Sequence, residues 1–282
     1  MDVPLLAEDL APGDRDVANR DFGDVSVRRV QSADDPDFGP AYERLFAEFG
    51  PGGGMEQRPV IGDRLGWRPE RPVGGAALAY ELLVVRRGGE VAALRDHTAI
   101  VRVDARGRPV AGPIVVHLSH ALVEPPHRGS GLAAWLRALP LQTARRCAAA
   151  AGCAPATPVV LVAEMEPSDP AEAARAARLR SYERAGFRMV DRAAAPYAQP
   201  DFRPPVQWTD AGPQAIAFGL VVRRVGREAE RAMPADELRA VVESVYAVYG
   251  VHVPAAALDA LRADAARYTS RPGSFRLLPP TA

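Results

Sequence analysis

At 282 residues and 48% apolar, the chain has ample material for one large domain, with or without an appendage. Its 35 basic and 35 acidic residues cancel, so whole-chain charge argues against nucleic acid or an anionic membrane as partner. No stretch approaches the roughly 20 apolar residues of a membrane span, and all the basic residues are arginine, which excludes a Schiff-base lysine.

The segment Met1–Asp24 is acidic, rich in proline, glycine and aspartate, and unlike a signal peptide. A disordered or loosely docked N-terminal arm is expected over residues 1–23. From Asp24 to Gln31, Val25, Val27 and Val30 alternate with polar residues and predict a first strand. Phe38–Phe49 places Tyr42, Leu45, Phe46 and Phe49 on one side of a helix closed by Gly50-Pro51. Gly52–Pro72 holds glycine, proline and Trp67 without a clear period. Three strands follow, Ala77–Arg87, Val91–Asp104 and Pro113–Val123, with Arg87-Gly88-Gly89 and Ala105-Arg106-Gly107 as hairpin turns. Gly131–Ala151 predicts a helix that Pro140 bends or breaks and Gly152 ends.

Pro158–Met165 is a continuous apolar run, the pattern of a strand buried on both faces. Asp169-Pro170-Ala171-Glu172 supplies an N-cap, a first-turn proline and a capping-box glutamate for a helix ending at Gly186. Phe187–Asp191 and Ala215–Arg224 predict two more strands, joined by a proline-rich excursion through Tyr197 and Trp208. Two amphipathic helices, Pro234–Tyr249 and Pro254–Tyr268, make a helical C-terminal extension over residues 226–282. Packing on the core, a homodimer interface and the shaping of a site entrance all stay open for it. Cys147 and Cys153 have neither a metal spacing nor a disulfide framework, and read as idle thiols of a reducing cytoplasm. No metal site is expected.

The densest chemical signal runs from Val123 through Glu124-Pro125-Pro126-His127-Arg128-Gly129-Ser130-Gly131-Leu132 to Ala133, a glycine-rich turn between a strand and a helix. Unpaired amides and the helix dipole there favour an anion, and Gly129 and Gly131 let the backbone approach it without a Cβ in the way. No lysine completes a Walker-type loop, and the dinucleotide fingerprint's spaced glycines and later acidic residue are missing. The pattern Arg-x-x-Gly-x-Ala (Arg128, Gly131, Ala133) after Val-x-Pro (Val123, Pro125) resembles the acyl-CoA pyrophosphate loop of the GCN5-related N-acetyltransferase (GNAT) superfamily. Downstream, Ser181-Tyr182-Glu183-Arg184-Ala185-Gly186-Phe187 is similar to that family's Tyr-x-x-x-Gly-Phe signature, in matching order and with a strand and a helix between.

The resemblance covers about Asp24–Arg224 and implies an α/β domain, residues 24–225, with a mixed central sheet splayed between strands 4 and 5. It implies acetyl-CoA (coenzyme A) as cofactor, its pyrophosphate on the amides of Gly129, Ser130, Gly131, Leu132 and Ala133. Arg128 would add a charge-assisted bond or merely cap the turn. Pantetheine would run into the splay, a backbone amide near Leu122 or Val123 would stabilise the oxyanion, and Tyr182 would protonate the departing thiolate. Packing alone is the other reading of Tyr182. Many members carry an asparagine seven residues before this tyrosine, where Arg175 stands here.

By the two-residue period His117, Ser119 and Ala121 share one face of the fourth strand and His120 lies on the other, unless a bulge swaps them. His117 lies eleven residues before Arg128, where some members that acetylate small amines carry histidine or glutamate. His117 and His120 are the candidate bases, against the structural role that a lone strand histidine usually has. Glu164 and Glu166 would project together from the fifth strand and meet an ammonium group, arginines or solvent; Ser119 is a further candidate substrate contact. The expected activity is acetyl transfer to a primary amine, a small molecule rather than a protein, by direct attack in a ternary complex. Two alternatives stand beside it: a non-catalytic acyl-CoA-binding or sensor module, and a transferase acting on a protein N-terminus or lysine. Gly52–Pro72 would cover the acceptor site or be an ordinary surface connection.

Overall fold

Residues 3–166, 172–208 and 212–282 are described by the computed structural model. The first four predicted strands become a ladder. β1 (Val25–Arg29) pairs antiparallel with β2 (Ala76–Arg87), which turns through Gly88-Gly89 into β3 (Glu90–Arg102). Those glycines hold φ of 58° and 88°, the left-handed backbone that a two-residue hairpin needs. β4 (Ile114–Val123) completes the meander and pairs in parallel with β5 (Val159–Met165).

Between β1 and β2 lie α1 (Phe38–Phe49) and α2 (Arg58–Arg64), the latter inside the segment that showed no period. Between β4 and β5 the predicted single helix is broken, as Pro140 demands, into α3 (Leu132–Ala138) and α4 (Pro140–Ala151). Gly152, at φ 77°, ends α4. After β5 come α5 (Ala173–Arg184), β6 (Arg188–Val190), β7 (Tyr197–Gln199) and β8 (Ile216–Arg224). The predicted cap at Asp169-Pro170-Ala171 lies outside the described residues. The chain closes with β9 (Ala232–Pro234), α6 (Ala235–Tyr249), α7 (Ala255–Thr269) and β10 (Ser274–Leu278).

All ten strands of the described residues form one sheet, ordered β1-β2-β3-β4-β5-β8-β6-β10-β9, with β7 on β8. β5 is buried on both sides, as its apolar run requires: Val160, Leu161, Val162 and Ala163 are all covered. One sheet face packs against α1, α2 and α6 through Tyr42, Leu45, Ile61 and Leu238; the other packs against α3, α4 and α5. The C-terminal extension carries its two helices and also two short strands. Leu238, Val241, Val242 and Val245 of α6 are buried in the first core, each contributing about 1.5–3 kcal/mol of burial. Residues 226–282 therefore share the core and the sheet of the preceding domain.

Over residues 3–23 the N-terminal arm is docked on the domain, contrary to the expectation from its composition. Val3 N donates to Val27 O at 2.8 Å, and Gln142 Nε2 donates to Pro4 O at 2.8 Å. Asp9 pairs with Arg145 at 2.6 Å, and Asp14 with Arg137 at 2.7 Å. The aspartates that suggested solvation are partners of arginines on α3 and α4.

Candidate active site

β4 and β5 pair only from Ile114 to His117 and from Val159 to Val162. Beyond His117, β4 runs on to Val123 beside β3 alone, and a gap opens between the two parallel strands. Glu124 N donates to Ala92 O, so the alternation of an antiparallel ladder turns the Leu122 amide toward β3 and the Val123 amide into the gap. Of the two oxyanion-donor candidates, Val123 is the one facing it.

At the gap's far end Gly129 and Gly131 hold φ of 77° and 99°. Their amides meet no acceptor among the described residues. The hydroxyl of Ser130 donates to His127 O at 2.6 Å, and Leu132 N lies 3.4 Å from Ser130 Oγ. Arg128 Nε donates to Val123 O at 3.2 Å, so its side chain caps the turn. Ala133 lies in the first turn of α3.

A bulge decides where the histidines point. Thr98 stands opposite His117 and Asp96 opposite His120, so Leu118 and Ser119 together face the single residue His97. The extra residue returns His120 to the face of His117. This corrects the simple two-residue alternation, which put His120 on the opposite face.

On that face the two histidines make separate clusters. His117 and the Glu164 side chain are both buried, and His117 Nε2 lies 2.9 Å from Glu164 Oε2. The same carboxylate accepts the hydroxyls of Tyr197, at 2.6 Å, and of Tyr249. Burial opposes ionisation of Glu164, but the bonds from His117 and the two phenols outweigh it and hold its pKa below the usual carboxylate value. Burial, reinforced by that carboxylate, pushes both tyrosines well above the usual phenol value and keeps them donors. Ser119 Oγ, at the bulge, is 3.4 Å from His117 Nδ1.

His120 is held on both ring nitrogens. Its Nδ1 lies 2.9 Å from Asp96 Oδ1 and its Nε2 lies 3.0 Å from Gly54 O. Asp96 is fully buried and also accepts the His120 amide at 2.7 Å and the Tyr80 hydroxyl at 2.9 Å. Burial works against charge on both partners, yet the pairing prevails: Asp96 titrates far below an ordinary carboxylate and His120 above an ordinary imidazole. Both nitrogens of such an imidazolium donate, which leaves no lone pair for a substrate proton.

Residues 52–72 cover this face. Gly54 O engages His120, Gln199 Nε2 donates to Gly53 O at 3.2 Å, and Arg64 of α2 pairs with Glu56 in full burial. Trp67 stacks on His252, with ring centroids 5.8 Å apart. Glu166 is drawn away from Glu164 to α5, where Arg175 and Arg178 pair with it at 3.1 and 3.4 Å. Tyr182 lies across the sheet from His117, in the core cluster of Leu118 and Met165, with its ring edge-on to Phe187 and beneath the Arg137 guanidinium.

Sequence reasoning missed Tyr249, Tyr197, Asp96 and Tyr80. A signal existed for two of them: Tyr249 lies on the apolar face of an amphipathic helix, and Asp96 belongs to a polar run, Arg95-Asp96-His97-Thr98, set inside an otherwise apolar strand. Each buried polar group there required a partner.

No family model and no curated protein matches the sequence. Solved structures do match by shape. The Salmonella typhimurium protein yncA, solved with its cofactor acetyl-CoA, is 20% identical, covering 73% of this chain and 97% of that one at a TM-score of 0.39. A tandem GNAT protein from the clavulanic acid biosynthesis pathway, without acetyl-CoA, is 19% identical over 87% of this chain and 65% of its own, at a TM-score of 0.37. A GNAT family acetyltransferase from Elizabethkingia anophelis, with acetyl-CoA bound, is 12% identical over 71% and 98%, at 0.34. The chain's own topology, a parallel β4–β5 pair that parts at a bulge and leads into a glycine turn, agrees with the splayed mixed sheet that the sequence resemblance implied.

Proposed function

We propose that the chain transfers an acetyl group from acetyl-CoA to a primary amine, a small molecule rather than a protein, by direct attack in a ternary complex. The observation that carries this is the gap between β4 and β5, which joins the glycine turn at one end to the His117–Glu164 pair at the other. The residues fit the cofactor: amides of Gly129 and Gly131 without partners suit its phosphates, and the gap-facing Val123 amide suits a carbonyl oxygen. Acetyl-CoA would supply the thioester, bound along the gap.

On this reading Glu164 accepts the Nε2 proton of His117 and so keeps the Nδ1 lone pair toward Ser119. His117 Nδ1 removes the ammonium proton of the acceptor, directly or through the Ser119 hydroxyl. Attack then comes from the α1/α6 side of the sheet, while Tyr182, on the α5 side, delivers a proton to the thiolate. His120, charged and locked to Asp96 and Gly54, positions the roof over the acceptor. The closed cover formed by residues 52–72 favours a small acceptor.

The test is thiol release from acetyl-CoA across a panel of primary amines. Turnover by the native chain is expected, with loss in His117→Ala and in Gly129→Glu. A Cβ at Gly129 meets open space, so that variant blocks the turn at the cost of local strain alone. Acetyl-CoA binding without turnover on any amine would favour a sensor, the second reading that Arg175 in place of asparagine supports.

A further inference from the structure

Residues 11–20 of the N-terminal arm lie in the groove between α3 and α5. Pro12–Asn19 is a 3-10 helix of eight residues, about 16 Å long at about 2.0 Å per residue. Just before it, Ala11 is 3% exposed and joins the core cluster of Leu118, Met165 and Tyr182. Gly13 approaches α5 so closely that a Cβ there would stand 1.9 Å from Arg184 O. The buried Asp14 carboxylate accepts Arg137 Nη2 of α3 at 2.7 Å and lies 3.5 Å from Arg184 Nε of α5, tying the two walls together. Toward the other end, Val17 Cγ1 lies 3.0 Å from where a Gly131 Cβ would be, and Arg20 Nη1 donates to Gly129 O at 3.1 Å.

The segment therefore spans from Tyr182 to the glycine turn. Between these two points acyl-CoA would have to lie. The segment is held mainly by the Asp9–Arg145 and Asp14–Arg137 ion pairs. Between Asp9 and Arg20 the large apolar side chains are Leu10 and Val17, and the rest are small or charged. Both flanks are anchored independently, by Val3 on Val27 before it and by the start of β1 after it.

We propose, on the strength of the acyl-CoA reading, that residues 9–20 are a strap that occupies the cofactor channel and must lift before acyl-CoA binds. Apparent affinity then equals the intrinsic affinity multiplied by the fraction of chains with the strap open. Loosening the strap tightens binding, which damage to the fold would not do.

The experiment is calorimetric titration of the full chain with acetyl-CoA, in native, Asp14→Asn and Val17→Ser forms. Val17→Ser leaves no buried arginine without its carboxylate, so one variant remains informative if the other misfolds. Tightening of about tenfold in the variants is expected from a strap open about one-tenth of the time. Trypsin cleavage after Arg15, an exposed position, should accelerate when acetyl-CoA is added. Equal affinities in all three forms, or protection of Arg15 by the ligand, would overturn the strap and leave the transfer reading intact. No binding by any form would overturn the acyl-CoA reading, and the strap with it.

Discussion

Replacing Glu164 with glutamine tests the reasoning most directly. Three donors converge on its carboxylate: His117 Nε2, the Tyr197 hydroxyl and the Tyr249 hydroxyl. A hydrogen bond to a charged group contributes about 1.5–3 kcal/mol. Glutamine keeps one acceptor oxygen but turns an amide donor toward the other partners, and a tyrosine hydroxyl can rotate to receive it. The net loss should be about 3 kcal/mol, inside the roughly 5–15 kcal/mol of a typical domain, so the variant folds. At about 2–4 °C per kcal/mol, its melting temperature drops by about 6–12 °C. Without a carboxylate on Nε2 the His117 tautomer is no longer fixed, and kcat should fall by about 10²-fold, the lower end for general acid–base catalysis. KM for acetyl-CoA should hold, because the glycine turn lies at the far end of the gap. Thermal melts and thiol-release kinetics measure both quantities. A lowered melting temperature with unchanged kcat would make Glu164 a purely structural residue and refute the proton path.

Tyr249→Phe removes one of the three donors and should cut kcat by less than Glu164→Gln, about tenfold, at nearly unchanged KM for acetyl-CoA. Stability should depend on pH from both sides. Asp96, Glu164 and Glu81 have depressed pKa values, so their stabilisation is complete above the ordinary carboxylate range and lost as pH falls through their lowered values. His120 is raised, so its share is complete below the ordinary imidazole value and lost as pH climbs through the raised one. Melting temperature should therefore plateau at mildly acidic pH, and Asp96→Asn should flatten the alkaline limb; an unaltered limb would dismiss the ion pair as its source. Burial pushes the Cys147 thiol up to about 12, so a maleimide should label Cys153 first under native conditions. Equal labelling rates would contradict the burial of α4 on the sheet.

The sheet was legible where its signals are local. Alternation placed β1, the glycine turns marked off β2 to β4, continuous apolarity placed β5, and Pro140 forecast the break between α3 and α4. The glycine turn was equally readable, because its chemistry lies in consecutive residues. What could not be read depended on partners far apart in the chain. The acidic arm resembled a solvated tail because nothing in residues 1–23 shows that Arg137 and Arg145 await Asp14 and Asp9. The face of His120 hinged on one bulge, a register event set jointly by β3 and β4. Glu166 went to α5 because Arg175 and Arg178 happened to reach it, a choice invisible from the strand alone.

The strand order has a further consequence, for how the protein is made. β10, residues 274–278, pairs with β6 on one side and β9 on the other, and Tyr249 reaches back to Glu164 from the same late stretch. A nascent chain emerging from the ribosome can complete neither this end of the sheet nor the Glu164 hydrogen bonds until nearly all of these residues have been synthesised. Until then β6 presents an unpaired edge, the kind of surface that recruits other chains. A chain stopped short of β10 should therefore appear as aggregate or as a chaperone client, and not as a weaker version of the same protein.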